Sequence, residues 1–150
     1  MENKEIKVLI FMLKNEYYAL DIMQIERILA YEETTKIPEM PSFVDGVKDY
    51  EGRILPIINL AKKFNIDSCD VTKESKVIVT RCDGKHMGIV VDEVSEVINV
   101  HEKDIEKNAN VTNGISKKYV NGLIKLKGNI IISLDTKYIL SEFDKEQMDI

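Results

Sequence analysis

The residues of this chain that could do chemistry are two histidines, two cysteines and a few carboxylate pairs. Nucleophilic catalysis needs a Ser, Cys or Thr held beside a base. His86 follows the turn pair Asp83-Gly84 and His101 sits in the charged stretch "HEKD", so both read as solvated surface residues. Cys69 lies in a polar stretch and Cys82 just before a turn, with neither metal-type nor redox-type spacing, which reads as two reduced thiols. Asp104, Glu106, Asn108 and Asn110 alternate like the start of a calcium loop, but Ala109 stands where the sharp turn wants glycine and Ile115 where a bidentate glutamate belongs. Asn110-Val111-Thr112 fits a glycosylation acceptor, a pattern without meaning in a cytoplasmic chain. Asp92-Glu93 and Glu32-Glu33 are neighbours on strand-like runs and so point to opposite faces, which suits surface charge better than acid–base work. The glycines form no phosphate-cradling loop. This inventory describes a binding module, with no catalytic residue, no metal ligand set and no cofactor.

Charge narrows the partners. The chain carries 21 basic and 26 acidic residues, a net charge of -5, and its arginines Arg27, Arg53 and Arg81 are scattered. A nucleic-acid binder would show a basic stripe. The apolar run Val8–Leu13 has six residues, far short of the roughly 20 that span a bilayer, and no signal-peptide cleavage pattern follows it. The expectation is a cytoplasmic protein with no nucleic-acid partner and no direct membrane insertion.

The elements that must position any site are short, β-branched runs bounded by turn residues. They are Ile6–Leu13, Tyr17–Leu20, Arg27–Tyr31, Val44–Asp49, Arg53–Ile58, Lys76–Arg81, Met87–Val91, Val97–Val100, Val120–Leu126 and Ile130–Leu134. Asp83-Gly84 is a strong hairpin signal, with Glu51-Gly52 and Gly128-Asn129 weaker ones. Pro56 inside its run predicts an edge or a bulge. Short helices are expected at Leu60–Asn65 and at Asp135–Phe143, with a further turn at Ile22–Ile25.

The chain also repeats itself. "YYALDIMQIERI" and "MGIVVDEVSEVI" place Asp21 and Asp92 alike, and Gly46/Gly52 are spaced like Gly122/Gly128. Matched landmarks in the same order indicate duplicated architecture. The chain therefore reads as all-β with short helices: a single domain over 1–150 built of two small five-stranded barrels packed together. Subdomain one spans roughly 6–66, subdomain two roughly 75–134, and a C-terminal helix lies near 135–143. A groove between the two halves is a natural binding place.

The ordered set "FMLKNEYYALDIMQIERI", "IPEMPSFVDGVKDYEGRILPIINL", "MGIVVDEVSEVI" and "YVNGLIKLKGNIIISLD" resembles the CheW family of chemotaxis coupling proteins from about Ile6 to Leu140. The resemblance implies two SH3-like five-stranded barrels and a scaffold without catalytic activity. It implies an adaptor that joins the regulatory domain of the CheA histidine kinase to the cytoplasmic hairpin tip of chemoreceptors, recruited to membrane-associated arrays. The alternative is a CheW-like regulatory scaffold for a divergent or non-chemotaxis kinase system. Carried over by position, the receptor-binding groove comprises Ile25, Arg27, Ile28, Val77, Gly88, Val94 and Val97. The kinase-binding face comprises Gly46 and the hairpin Asp49, Tyr50, Glu51 and Gly52. Ile25, Val94 and Val97 read equally as barrel core.

The chain departs from the family pattern at two charges. The family usually shows N-L-R-G where Asp49-Tyr50-Glu51-Gly52 stands, and a glutamate where Arg27 stands. Shifting the strand by one residue to use Glu26 instead would flip its faces and misplace Ile25 and Ile28. Either Arg27 and Glu51 face each other as a pair swapped end for end, or both face partners and alter partner choice.

Overall fold

The computed structural model describes residues 4–66, 71–107 and 119–139. Among the described residues eleven strands run β1 (Glu5–Leu13), β2 (Glu16–Asp21), β3 (Ile25–Ala30), β4 (Val44–Tyr50), β5 (Arg53–Asn59), β6 (Lys76–Cys82), β7 (Lys85–Val91), β8 (Glu93–His101), β9 (Ile105–Glu106), β10 (Val120–Leu126) and β11 (Asn129–Leu134). A single helical turn, α1 (Leu60–Lys63), follows β5, capped by the Asn59 side chain, which accepts from the Lys62 N–H. A matching turn at 136–139 follows β11, so the expected C-terminal helix is seen over those residues, and the remainder of 135–143 beyond 139 lies outside the described residues.

Two sheets form, one in the order β8-β1-β2-β11-β10-β9, the other β3-β6-β7-β5-β4. These are the two small barrels expected from the sequence, but neither follows the expected division into 6–66 and 75–134. The second sheet takes β3, β4 and β5 from the first half and β6 and β7 from the second, and the first sheet mixes them likewise. The duplication holds strand for strand: β1, β2, β8, β10 and β11 take the same places in their sheet as β6, β7, β3, β4 and β5 take in the other. What the repeat cannot specify is which copy of a pseudo-equivalent edge a strand joins. Exchange of like elements between like units costs little, and here each repeat sends its first hairpin to the other barrel.

The hairpins are two-residue loops whose central residues both have positive φ, as at Glu51 (51°) and Gly52 (79°), the geometry that matches strand twist. At the last hairpin these residues are Lys127 and Gly128, so the turn sits one position earlier than the expected Gly128-Asn129. Pro56 lies in an interior strand of the sheet, yet β5 pairs with β7 only from Ile57 onward. The proline thus occupies the stretch of β5 that is locally an edge, where a missing N–H costs no ladder bond.

Three cores result. Val8, Ile10, Ala19, Ile124 and Ile131 fill one barrel, and Tyr50, Leu55, Ile57, Val77, Val79 and Val90 fill the other. The largest cluster lies between them, built from Leu9, Phe11, Tyr18, Leu20, Ile58, Leu60, Ile78, Met87, Ile89 and Leu134 among others. Strands β6 and β7 of one barrel and β1 and β2 of the other are therefore apolar on both faces, as their unbroken runs of β-branched and aromatic residues require.

Each barrel closes through the segment that follows its edge strand. Thr35 bridges Val47 of β4, with backbone bonds of 3.0 and 2.9 Å, and β9 pairs Glu106 with Leu123 of β10. Gly46 and Gly122 lie directly under these closures. A Cβ on Gly46 would collide with Thr34 Oγ1 and come within 2.6 Å of the Thr35 carbonyl, and one on Gly122 would meet Ile105 and lie 3.0 Å from the Glu106 carbonyl. The paired glycines visible in the sequence are close-approach points of the fold.

Candidate functional site

Strand β3 organises the site. Ile25 pairs with Thr80 and Arg27 with Val79, leaving Glu26 as an extra residue, a β-bulge. The bulge restores Ile28 to the face of Ile78, which belongs to the core between the barrels, while Arg27 shares the face of Val79 inside its own barrel. Ile25 and Ile28, three apart, therefore point the same way, and Arg27 points the other. Strand β8 repeats the device: Phe11 pairs with Val94 and Ile10 with Glu96, so Ser95 is the extra residue and Val97 returns to the face of Leu9. Ile25 and Val94 pack against the inter-barrel core, whereas Ile28 is 42% exposed and Val97 48%.

The expected groove residues thus divide. Ile25, Ile28, Val94 and Val97 are an apolar set on the inter-barrel side of two edge strands related by the duplication, with Ile25 and Val94 packed on that core and Ile28 and Val97 near half exposed. Arg27, Val77 and Gly88 belong to the opposite side of the sheet. Val77 is buried in the barrel core, and a Cβ on Gly88 would meet Ile57 and Val77 at 2.8 Å, so its missing side chain is filled by neighbours from within the barrel.

The β4–β5 hairpin meets the other face of β3. The Tyr50 hydroxyl donates to Glu26 Oε2 at 2.6 Å, His86 Nε2 lies 3.1 Å from Glu26 Oε1, and Arg81 lies 3.6 Å from the same oxygen. The Tyr50 bond first, then those of His86 and the Arg81 charge, hold the Glu26 carboxyl below its usual range. The same bond, with burial, pushes the Tyr50 hydroxyl up. Arg27 and Glu51 face each other at 3.4 Å, and the Arg27 guanidinium lies 5.7 Å from the Tyr50 ring centre. Of the expected kinase face, Asp49, Glu51 and Gly52 are exposed, Tyr50 is buried to 6%, and Gly46 is buried beneath Thr34 and Thr35.

The other chemical candidates are occupied. Asp92 accepts the Lys14 N–H at 2.6 Å and so holds the β1–β2 hairpin, and Asp21 accepts from the Met23 N–H. Glu32 pairs with Lys48 at 3.7 Å. Cys82 is a half-buried free thiol whose pKa burial and Asp83 raise, which disfavours the reactive thiolate. Cys69 and the Asn110-Val111-Thr112 pattern lie outside the described residues. Among the described residues no group of three His, Cys, Asp or Glu side chains is placed to hold a metal ion.

A CheW-like domain is matched over residues 7–144. The chain belongs to the CheW-like family. It is 36% identical over 139 residues to a chemotaxis protein CheW of Thermotoga maritima, covering 93% of this chain and 90% of that one. It is 33% identical over 141 residues to one of Klebsiella aerogenes, covering 94% and 85%. A crystal structure of the scaffolding protein TtCheW from Thermoanaerobacter tengcongensis has a TM-score of 0.83 at 33% identity, over 92% of this chain and 89% of that one.

In this CheW-like chain, sequence reasoning passed over Glu26 and His86. Glu26 was set aside because a one-residue shift flips a strand, but the bulge supplies that shift locally and keeps Ile25 and Ile28 in place. His86 is no solvated turn residue: its side chain is 15% exposed and bonded to Glu26. The signal available in advance was the spacing itself, since Ile25/Ile28 and Val94/Val97 are apolar pairs three apart, which a regular strand cannot put on one face.

Proposed function

We propose that this chain is a non-enzymatic chemotaxis coupling adaptor that holds a CheA-type kinase regulatory domain and a chemoreceptor cytoplasmic hairpin tip at the same time. The observation that carries the reading is the two-sidedness of β3. One face contributes Ile25 and Ile28 to an apolar rim with Val94 and Val97, and the other meets the hairpin Asp49–Gly52. Apolar side chains at one rim suit the ridge of a helical hairpin, while a polar, well-braced hairpin suits recognition by charge and shape. Two partners on opposite faces of one strand can bind together. No described helix is long and apolar enough to cross a membrane, so recruitment to a membrane array would come through the receptor.

The test is a calorimetric titration of the full chain with the kinase regulatory domain, then with a receptor hairpin fragment added to that complex. Saturable one-to-one binding of both, with Ile28→Lys weakening only the receptor fragment, is the expected result. Competition between the two partners for one surface would overturn the assignment of separate faces.

A further inference from the structure

The helical turns after β5 and β11 are built alike and differ in what they send into the seam between the barrels. Phe43 and Tyr119 each stand immediately before the first strand of a hairpin, β4–β5 or β10–β11. The carbonyl of each accepts the N–H of the residue at the end of that hairpin, Asn59 at 2.7 Å and Asp135 at 2.9 Å. Asn59 and Asp135 then cap the turns that follow, their side chains accepting from the N–H of Lys62 and Lys137. The fourth residue beyond each cap is Lys63 in one repeat and Ile139 in the other. Ile139 is 1% exposed and belongs to the inter-barrel core. A lysine ammonium at that seam needs a partner.

Lys63 is half-buried and finds that partner in two rings. Its Nζ lies 4.2 Å from the ring centre of Phe43 and 5.5 Å from that of Tyr119, inside the ~6 Å over which a ring face attracts a cation. Phe43 adjoins β4 of one barrel and Tyr119 adjoins β10 of the other, so the ammonium bridges the seam. Next to it the Phe64 ring meets the Tyr119 ring at 5.7 Å. In one sheet β5 and β3 flank β6–β7 on opposite sides, and in the other β11 and β8 flank β1–β2. The ammonium thus sits at the β5 side of the inter-barrel core, and the exposed apolar side chains Ile28 and Val97 belong to the β3 and β8 side. Phe43, Phe64 and Tyr119 pack on the same core as Ile25 and Val94. A close-packed interior passes on a displacement instead of absorbing it.

We propose that Lys63 is a positioning residue for the helical partner: its ammonium, clamped between Phe43 of one barrel and Tyr119 of the other, fixes how the barrels sit and so how the Ile25/Ile28 and Val94/Val97 pairs are presented. The partner rests on the adaptor reading above, but the clamp is tested on the chain alone. Lys63→Met keeps the stem and removes the charge, whereas Lys63→Arg keeps the charge. In urea unfolding of the full chain, Lys63→Met should lower the midpoint by about 0.3–1 M and Lys63→Arg by less than about 0.2 M. Ring fluorines weaken the negative face that draws a cation. With one, two and three fluorines on Phe43, the midpoint should fall stepwise and more steeply in wild type than in Lys63→Met. Lys63→Met and Tyr119→Leu should be non-additive, the double variant losing less than the sum of the single ones. A fluorine series equally steep in Lys63→Met, or additive losses at Lys63 and Tyr119, would overturn the clamp.

The second arm is calorimetric titration of the same variants. Lys63→Met should weaken binding of the receptor hairpin fragment by about fivefold or more and leave the kinase regulatory domain within about twofold, and Lys63→Arg should restore the receptor affinity. A lysine that only stabilises the fold would shift the urea midpoint and leave both affinities unchanged, and that result would overturn the positioning role. Absence of receptor binding to wild type would count against the adaptor reading and the positioning role together, while the fluorine series still decides whether the clamp exists.

Discussion

The Arg27 guanidinium stands 3.4 Å from the Glu51 carboxylate, joining an edge strand of one barrel to the hairpin turn at its opposite edge. Both side chains are about half exposed, at 53% and 50%, so the attraction is screened and worth about 0.2–1 kcal/mol. The geometry matches a pair swapped end for end better than two charges presented outward. Arg27→Glu and Glu51→Arg are each expected to destabilise, by about 0.5–1 kcal/mol, because each sets like charges together, and the double variant should recover. Urea unfolding of the four proteins gives the interaction energy. Additive effects around that cycle would show that the two side chains do not interact.

Acid stability depends on Glu26. Its carboxyl is held below the ordinary 4.5, by the Tyr50 bond first. A lowered carboxylate pKa contributes stability that is present above the unfolded value and lost as pH falls through the folded one. The melting temperature of wild type should therefore fall below about pH 4.5 more steeply than that of Glu26→Gln. The two curves should converge in acid, because the protonated carboxyl and the amide then differ little. Parallel curves down to the unfolding limit would mean that Glu26 gains nothing from its neighbours.

Tyrosine ionisation probes the seam of the same barrel from the alkaline side. Burial first, then the bond to Asp45, pushes the Tyr31 hydroxyl up to about 12. Burial does the same for Tyr18, also to about 12. A raised tyrosine contributes stability that is complete below the unfolded value of 10.0 and is lost as pH rises through the folded value. Absorbance titration should show Tyr18, Tyr31 and Tyr50 ionising later than an ordinary tyrosine, and one fewer late group in Tyr31→Phe. Loss of no late-ionising group in that variant would contradict the Tyr31–Asp45 bond.

Much of this molecule can be read from its residues, and the failures share one cause. Hairpin turns, strand lengths and the paired glycines are local, so Glu51-Gly52 and Gly46/Gly122 announce themselves. The interleaving of the two repeats is not local: β3 could pair with β1 or with β6, and the repeat makes those edges alike. The bulges stand between these cases. Strict alternation argued against Glu26, yet Ile25 and Ile28, opposite Thr80 and Ile78, cannot share a face without an extra residue between them on β3. Arg27, Val77 and Gly88 were grouped with the groove because a position carried over from relatives says nothing about which side of a sheet it serves.

Gly46 and Gly122 should be among the least replaceable residues outside the cores. Gly46→Ala forces a Cβ onto Thr34 and the Thr35 backbone, which cannot move without breaking the bridge to Val47. A loss of about 1–3 kcal/mol is expected from overpacking against backbone. Gly88→Ala meets side chains alone and no backbone, Ile57 and Val77 at 2.8 Å and Leu55 at 3.4 Å, and should cost less. Thermal unfolding of Gly46→Ala, Gly122→Ala and Gly88→Ala tests the order, and Gly88→Ala costing more than Gly46→Ala would show that barrel closure is looser than the bridge implies.

The apolar rim separates docking from stability most cleanly at Ile28 and Val97. Both are near half exposed and occupy equivalent positions after the two bulges, while Ile25 and Val94 pack on the core. Truncating an exposed side chain changes stability by about 0.5 kcal/mol or less. If the rim receives a helical partner, Ile28→Ala and Val97→Ala should each weaken its binding by about fivefold or more, since apolar anchors at the centre of an interface cost over about 1 kcal/mol when removed. Ile25→Ala and Val94→Ala should instead lower the melting temperature. Binding of the receptor fragment by both Ile28→Ala and Val97→Ala at wild-type affinity would move the docking site off the inter-barrel rim. A loss at Ile28 alone would place the partner on β3, on the strand that the Glu26–Tyr50 bond already ties to the hairpin.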